Sequence, residues 1–102
     1  MVVLEFSIYP LDKGASLSEY VSRAVQIVDS SGLDYQTHAM GTIIEGEYRQ
    51  VMDVVQRCFD AMSRDCDRVE CIMRLDYRKG RQGMIRGKVA SVERRLGREV
   101  RK

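Results

Sequence analysis

The sequence lacks the long hydrophobic segment that a membrane-spanning helix requires. Its longest apolar runs, such as residues 1–4, cover only a few positions, whereas about 20 apolar residues are needed to cross a bilayer. The N-terminus also has no basic region followed by an apolar segment and a small-residue cleavage site, which is the pattern of an export signal. We therefore expect a soluble, cytoplasmic protein.

The sequence also has no paired cysteines and no recognisable catalytic motif. Cys58, Cys66 and Cys71 are odd in number and show no CxxC spacing, so we expect reduced thiols with a mainly structural role. No HExxH string, nucleophile elbow, phosphate-binding glycine loop or clustered pair of acids is present. The single histidine, His38, has no evident partner for acid–base catalysis. We expect no catalytic residue, no metal site and no cofactor, and hence a protein that is not an enzyme.

The balance of charge does not demand a nucleic-acid partner, because the net charge of the 102 residues is only +2. Basic residues nevertheless crowd the C-terminus, at Arg86, Lys88, Arg94, Arg95, Arg98, Arg101 and Lys102. An RNA-binding module is therefore one alternative, although the basic and aromatic string of an RNA-recognition motif is absent. A solvated helix face accounts for the basic run more simply.

Hydrophobic periodicity divides the first half of the chain into four elements. Strict alternation over residues 2–9 predicts a half-buried strand that Pro10 ends. Ser16 and Glu19 have the spacing of a capping box, and the apolar stripe that follows predicts a helix that stops at Gly32. Residues 33–38 and 42–45 are typical of two short strands joined by a tight turn at Ala39-Met40-Gly41. The apolar stripe of this first helix comprises Leu17, Tyr20, Val21, Ala24, Ile27 and Val28.

The second half predicts two helices with a strand between them. Glu47 suits a helix N-terminus because that end favours negative charge, and the apolar stripe of the following helix comprises Val51, Val54, Val55, Cys58 and Met62. Residues 69–77 are rich in strand-forming side chains and end in a charged turn. A last helix follows through the basic segment, weakened by Gly87 and Gly97.

The order β-α-β-β-α-β followed by α indicates an α+β protein: a ferredoxin-like βαββαβ sandwich with an extra C-terminal helix, as a single domain over residues 1–102. The first two helices should cover one face of the sheet. The other face, with Glu5, Ser7 and His38, has only the last helix to shield it, and the edge strands stay open. We therefore expect self-association.

Four stretches of the chain resemble the thiamine-binding YkoF-like family. They are Glu5–Pro10, Ser31–Tyr35, Met40–Glu47 and Lys88–Val92, of which the Met-Gly-Thr string followed by Glu-Gly is the most specific. The resemblance implies a ferredoxin-like fold, pairing through sheets into dimers or tetramers, and binding of thiamine or its hydroxymethylpyrimidine moiety without known chemistry. Ala39 and Tyr77 depart from the family's usual pattern, which leaves a structural or interaction oligomer as an alternative.

A thiamine-type ligand needs a carboxylate for its cation and short polar groups for its ring edge. The candidate ligand-binding residues are Glu5, Ser7, His38, Thr42 and Glu45. We expect the ligand between paired subunits, with the cation near Glu45 or Glu5 and the ring edge on Ser7 and Thr42. Each has a plainer alternative: Glu45 or Glu47 caps the second helix, Thr42 satisfies the turn, and Glu5 pairs with a base such as Arg74.

Overall fold

The computed structural model describes residues 1–15 and 17–102. Within that part of the chain, one four-stranded sheet packs with three helices, and no helix is long and apolar enough to span a bilayer. The elements are β1 (Val2–Pro10), α1 (Ser18–Ser30), β2 (Asp34–His38), β3 (Gly41–Gly46), α2 (Tyr48–Ser63), β4 (Val69–Tyr77) and α3 (Met84–Leu96). Every predicted helix and strand is present. At most of their ends, the observed and predicted boundaries differ by no more than two residues.

The strands lie in the order β2-β3-β1-β4, and each neighbouring pair is antiparallel. This is the ferredoxin-like order, and α3 is the extra helix that the sequence predicts. The hairpin between β2 and β3 is tight because His38 pairs directly with Gly41, which leaves only Ala39 and Met40 in the turn. Gly41 therefore belongs to β3, whereas the sequence analysis had placed it in the turn.

The core lies between the sheet and the two helices α1 and α2. Alternate residues of β1 are buried, and all five residues of the predicted α2 stripe are buried with them. The α1 stripe is less complete, because Ala24 and Val28 are buried whereas Val21 is 43% exposed. The sheet face opposite these helices, which carries Val3, Glu5 and Ser7, is called the open face below.

The helix ends agree in part with their predicted signals. The capping box at Ser16 lies outside the described residues, and α1 begins at Ser18. Gly32 has a φ of +77°, the left-handed conformation expected after a helix end. At the start of α2, the backbone N–H of Glu47 donates to Gln50 Oε1 at 2.9 Å, so Glu47 is the N-cap of this helix.

The cysteines occupy positions where a thiol is favoured over a thiolate. Cys58 is buried, and loss of solvation raises the pKa of its thiol to about 12. The pKa of Cys71 is raised for the same reason. Because the thiolate is the reactive form, both side chains are poor nucleophiles at neutral pH, as the expected structural role requires.

Candidate ligand-binding site

Strand β1 is paired along its whole length on one side but not on the other. It pairs with β4 from Val2 to Pro10, whereas its pairing with β3 stops at Phe6, opposite Thr42. The last four residues of β1 therefore have no β3 neighbour. A cleft of about 420 Å³ occupies this space, between β1, the end of the β2–β3 hairpin and α1. We call it the hairpin cleft, and its volume lies within the range of about 300–1,000 Å³ typical of small-molecule sites.

The walls of the hairpin cleft are mostly apolar. Ile8 of β1, Val21 and Val25 of α1, and Met40 of the hairpin turn are among its lining residues. The polar groups that line it are Ser7, Tyr9, Thr37, His38 and Thr42. Among the described residues, no lysine, arginine, aspartate or glutamate lines the cleft, so any charge on a ligand must be balanced at the rim.

Gly41 sets how closely the hairpin approaches β1. A Cβ atom at this position would lie 2.7 Å from the backbone oxygen of Phe6, which is a clash with main chain that cannot rotate away. The missing side chain lets the first residue of β3 pack directly on β1 where their pairing ends. The width of the hairpin cleft therefore depends on this glycine.

Ser7 and Thr42 approach the hairpin cleft from opposite faces of the sheet. Thr42 pairs with Phe6 and shares its side of the sheet, whereas Ser7 is the next residue along β1 and points to the open face. Thr42 is buried, and its Oγ1 lies 3.3 Å from Oγ1 of Thr37. Both hydroxyls line the cleft because it lies beyond the last β1–β3 pair.

His38 lies between the hairpin cleft and Glu5. Its Nδ1 accepts from the backbone N–H of Met40 at 3.2 Å, which leaves the proton on Nε2, 3.3 Å from Glu5 Oε2. Arg74 lies on the other side of Glu5, with 3.5 Å between Nη2 and Oε1. The predicted pairing of Glu5 with Arg74 is thus present, and a depression beside the cleft joins Glu5 and Arg74 to Ser7.

Glu45 lies away from the hairpin cleft. Its buried carboxylate accepts from the backbone N–H of Met84 at 2.9 Å to each oxygen, and from that of Ile85 at 3.5 Å. Two N–H groups at the start of α3 that have no partner inside the helix are thereby satisfied, and the negative charge suits that helix end. Glu45 therefore caps α3, whereas the plainer sequence interpretation had placed it or Glu47 at α2.

Tyr9 also lines the cleft, and its hydroxyl is hydrogen-bonded to a residue of β4. The hydroxyl donates to Glu70 Oε1 at 2.8 Å, and this hydrogen bond raises the pKa of Tyr9. The ring is thereby fixed in place as a neutral wall of the cleft.

In the described part of the chain, no group of three or more histidine, cysteine, aspartate or glutamate side chains is placed to hold a metal ion.

Sequence reasoning missed the walls that α1 and β4 supply. Val21 belongs to the apolar stripe of α1 and was assigned to the core, but it faces the hairpin cleft. Val21 is 43% exposed, and Ile72, which pairs with Ser7 and lies on the open face of β4, is 59% exposed. Only the lengths of the strand pairings, which a single sequence does not reveal, distinguish a cleft wall from core here.

Comparison with known proteins identifies relatives over nearly the whole chain. A family profile described as thiamine-binding protein matches residues 4–93. A UPF0045 protein of Mycobacterium bovis is 42% identical over 96 residues, which cover 93% of this chain and 94% of the relative. The chain belongs to the thiamine-binding protein family. The matched residues run from β1 to Glu93 in α3 and include all five candidate residues.

Solved structures of similar proteins show the same fold. The crystal structure of a hypothetical protein from Methanocaldococcus jannaschii gives a TM-score of 0.83 at 35% identity and covers 89% of this chain and 94% of that one. A Thermotoga maritima protein, described provisionally as acting in thiamine biosynthesis or salvage, gives 0.78 at 25% identity and covers 89% and 97%. The ferredoxin-like architecture is thus shared across this thiamine-binding family.

Replacing Gly41 by alanine should force the hairpin away from β1. We expect a loss of about 1–3 kcal/mol in the free energy of unfolding, as for other overpacked positions, measured by urea denaturation. Gly87→Ala is the matched control, because a Cβ at Gly87 meets nothing within 4 Å. Within α3 it should stabilise by up to about 1 kcal/mol. Equal effects of the two changes would contradict the close approach at Gly41.

Glu45→Ala should loosen α3 while leaving the sheet intact. Removing an acceptor from buried N–H groups costs about 1–3 kcal/mol, and we expect faster hydrogen exchange at the α3 amides. Asp34→Ala is the control, because it breaks only the exposed 2.7 Å ion pair between Asp34 and Arg86 of the same helix. Exposed pairs contribute at most about 1 kcal/mol. Unchanged exchange in α3 after Glu45→Ala would show that this cap is dispensable.

Proposed function

We propose that this protein captures a thiamine-type molecule in the hairpin cleft and does not transform it. The observation that carries the proposal is the combination of apolar walls, two hydroxyls from opposite faces of the sheet, and a carboxylate just outside the rim. An aminopyrimidine ring needs flat apolar contacts and hydrogen-bonding groups at its edge. The thiazolium needs a negative charge nearby. A carboxylate at the rim of the cleft supplies this charge without being buried among apolar side chains.

In the proposed pose, the pyrimidine edge meets Ser7 and Thr42 and the cation lies toward Glu5. Thr42 Oγ1 already lies beside Thr37 Oγ1, so the ring would meet a pair of hydroxyls on that side. Glu45 takes no part in this pose, because its oxygens are engaged at the start of α3. The sequence had left the choice between Glu5 and Glu45 open, and the proposal takes Glu5.

Glu5 suits a cation because its present partners are easily exchanged. The Arg74 side chain is 83% exposed and its contact with Glu5 is long, at 3.5 Å. Exposed ion pairs of this kind contribute only about 0–1 kcal/mol. A ligand cation arriving from the cleft can therefore take the place of the guanidinium at little cost.

The absence of chemistry is part of the proposal and is supported by the surroundings of His38. Both nitrogens of its imidazole are engaged, one by the Met40 amide and the other by Glu5. A general base must be directed at the proton that it removes, and this imidazole is directed at a carboxylate. The histidine thus orients Glu5 and forms one side of the cleft.

Self-association is the second part of the proposal. β4 is an edge strand of nine residues with Ile72 and Tyr77 exposed on it, and such an edge is prone to pair with another chain. The rim of the cleft also carries Met40, which is 83% exposed, next to Ile72. A second copy that covers these two side chains would close the cleft over its ligand, so that the site lies between paired subunits.

Glu5→Gln should separate recognition of the cation from recognition of the ring. In calorimetric titrations, we expect the dissociation constant for thiamine to rise about tenfold, equivalent to about 1.4 kcal/mol, because the thiazolium loses its counter-charge. Binding of the uncharged hydroxymethylpyrimidine fragment should change by less than about twofold, since a neutral ring gains little from a rim carboxylate in water.

Asp53→Asn is the matched control, because Asp53 lies on α2 in an exposed pair with Arg57, away from the cleft. It should leave both titrations unchanged. Heat from neither compound with the unmodified protein would overturn the choice of ligand. Equal weakening of both compounds by Glu5→Gln would overturn the proposed pose.

A further inference from the structure

His38, the single histidine of the chain, contacts two parts of the candidate site at once. Its Nδ1 accepts from the backbone N–H of Met40 at 3.2 Å, and its Nε2 lies 3.3 Å from Glu5 Oε2. The first contact belongs to the hairpin turn, and the second belongs to the carboxylate just outside the rim. One imidazole thus connects a wall of the hairpin cleft to the nearest negative charge.

The two contacts favour opposite protonation states of the imidazole. Nδ1 accepts a hydrogen bond only while it carries no proton, so the contact with Met40 requires the neutral ring. The carboxylate of Glu5 attracts positive charge, so the second contact favours the imidazolium. Imidazole is the side chain that ordinarily changes its charge between about pH 5 and pH 8. A change of pH in this range therefore exchanges one contact for the other.

Few other charges act on this ring from the elements around the cleft. The lining residues of α1 and β3 are all uncharged: Val21, Ala24 and Val25, and Gly41 and Thr42. On β1, Tyr9 is titratable, but its hydrogen bond to Glu70 raises its pKa and keeps the hydroxyl neutral. On β4, Arg74 faces the other oxygen of Glu5 at 3.5 Å and opposes a second positive charge there. Within the described part of the chain, the charges that face His38 across the sheet are thus those of Glu5 and Arg74.

We propose that protonation of His38 weakens the binding of a cationic ligand, so that the cleft binds near neutral pH and releases as the solution becomes acidic. This inference rests on the proposed function and adds the regulation of that site. The imidazolium neutralises Glu5 and occupies the carboxylate that a ligand cation would approach. Nδ1 then carries a proton directed at the Met40 N–H, so the turn must rearrange, and Met40 is one wall of the cleft.

Proton and ligand cation exclude each other in this arrangement, and such coupling is reciprocal. Acidification should weaken ligand binding, and bound ligand should make the imidazole harder to protonate. The titration of the ring should therefore move to lower pH when the ligand is bound. The carboxylate does not produce this effect by itself, because glutamate carboxyls ordinarily titrate about two pH units below imidazoles.

The test is calorimetric titration with thiamine at about pH 8 and about pH 5.5, which bracket the ordinary imidazole transition. The chain must carry no added histidine tag. The readout is the ratio of the two dissociation constants within each protein, so changes in absolute affinity do not enter. We expect this ratio to be about tenfold larger in the unmodified protein than in His38→Gln, equivalent to about 1.4 kcal/mol. Glutamine keeps an uncharged N–H donor but takes up no proton.

Asp53→Asn is the matched control, because it removes an exposed carboxylate of α2 away from the cleft. It should keep the ratio of the unmodified protein within about twofold. Protonation of the ligand's own ring contributes equally in all three proteins and cancels from the comparison.

A second measurement follows the imidazole directly by NMR, since a single histidine gives a single ring signal. Saturating thiamine should move the midpoint of its titration about one pH unit lower, the counterpart of a tenfold change in affinity. In the free protein, the amide shift of Met40 should follow the same midpoint, because that amide loses its acceptor. A purely structural histidine would show no such dependence on ligand.

The outcomes separate this inference from the proposed function. Heat at about pH 8 together with equal ratios in the unmodified protein and His38→Gln would overturn the pH switch and leave the proposed function standing. A midpoint that thiamine does not move would have the same meaning. Absence of heat at about pH 8 would overturn the proposed function and the switch together.

Discussion

The unequal pairing of β1 is the constraint on which the rest of the site depends. A nine-residue central strand has a neighbour of matching length in β4, but β3 is shorter and is turned back at Gly41. The unpaired end of β1 must then be covered by something other than a strand. Helix α1 and the hairpin turn cover it incompletely, and the space that remains is the hairpin cleft.

Glu45 and Glu5 lie at different positions along the open face of the sheet and therefore have different surroundings. Glu45 pairs with Val3 near the beginning of β1, where the first turn of α3 lies over the sheet and supplies N–H donors. Glu5 lies one alternation further along β1, beyond this cover, and retains exchangeable partners. Glu45 therefore caps α3, whereas Glu5, among the described residues, contacts only the half-buried His38 and the exposed Arg74.

Most of the fold follows from local patterns in the sequence, because burial on one face imposes a period that the residues display. The α2 stripe and the bounds of β4 are the clearest cases, since every predicted α2 position is buried and β4 runs from Val69 to Tyr77 as expected. The candidate site was less accessible to this reasoning. Glu45 meets Met84 across 39 residues of sequence, and no local pattern records such a contact.

The faces of the candidate residues show the same limit. Alternation correctly placed Glu5 and Ser7 together, since both belong to one strand. It could not relate Ser7 to Thr42, because that relation depends on the register between β1 and β3 and on where their pairing ends. Val21 has the spacing of a core residue in the apolar stripe of α1, although its side chain lines the cleft. Such features are set by strand length and register and not by the periodicity of either element.

The most direct test of the central claim is a titration of the isotopically labelled protein with thiamine, followed by backbone amide chemical shifts. The account predicts that the largest changes fall at residues 7–9 and 37–42, on both sides of the hairpin cleft, while the amides of Met84 and Ile85 stay near their starting positions. Changes concentrated at Glu45 and the start of α3, with none at Ser7 or Thr42, would contradict it.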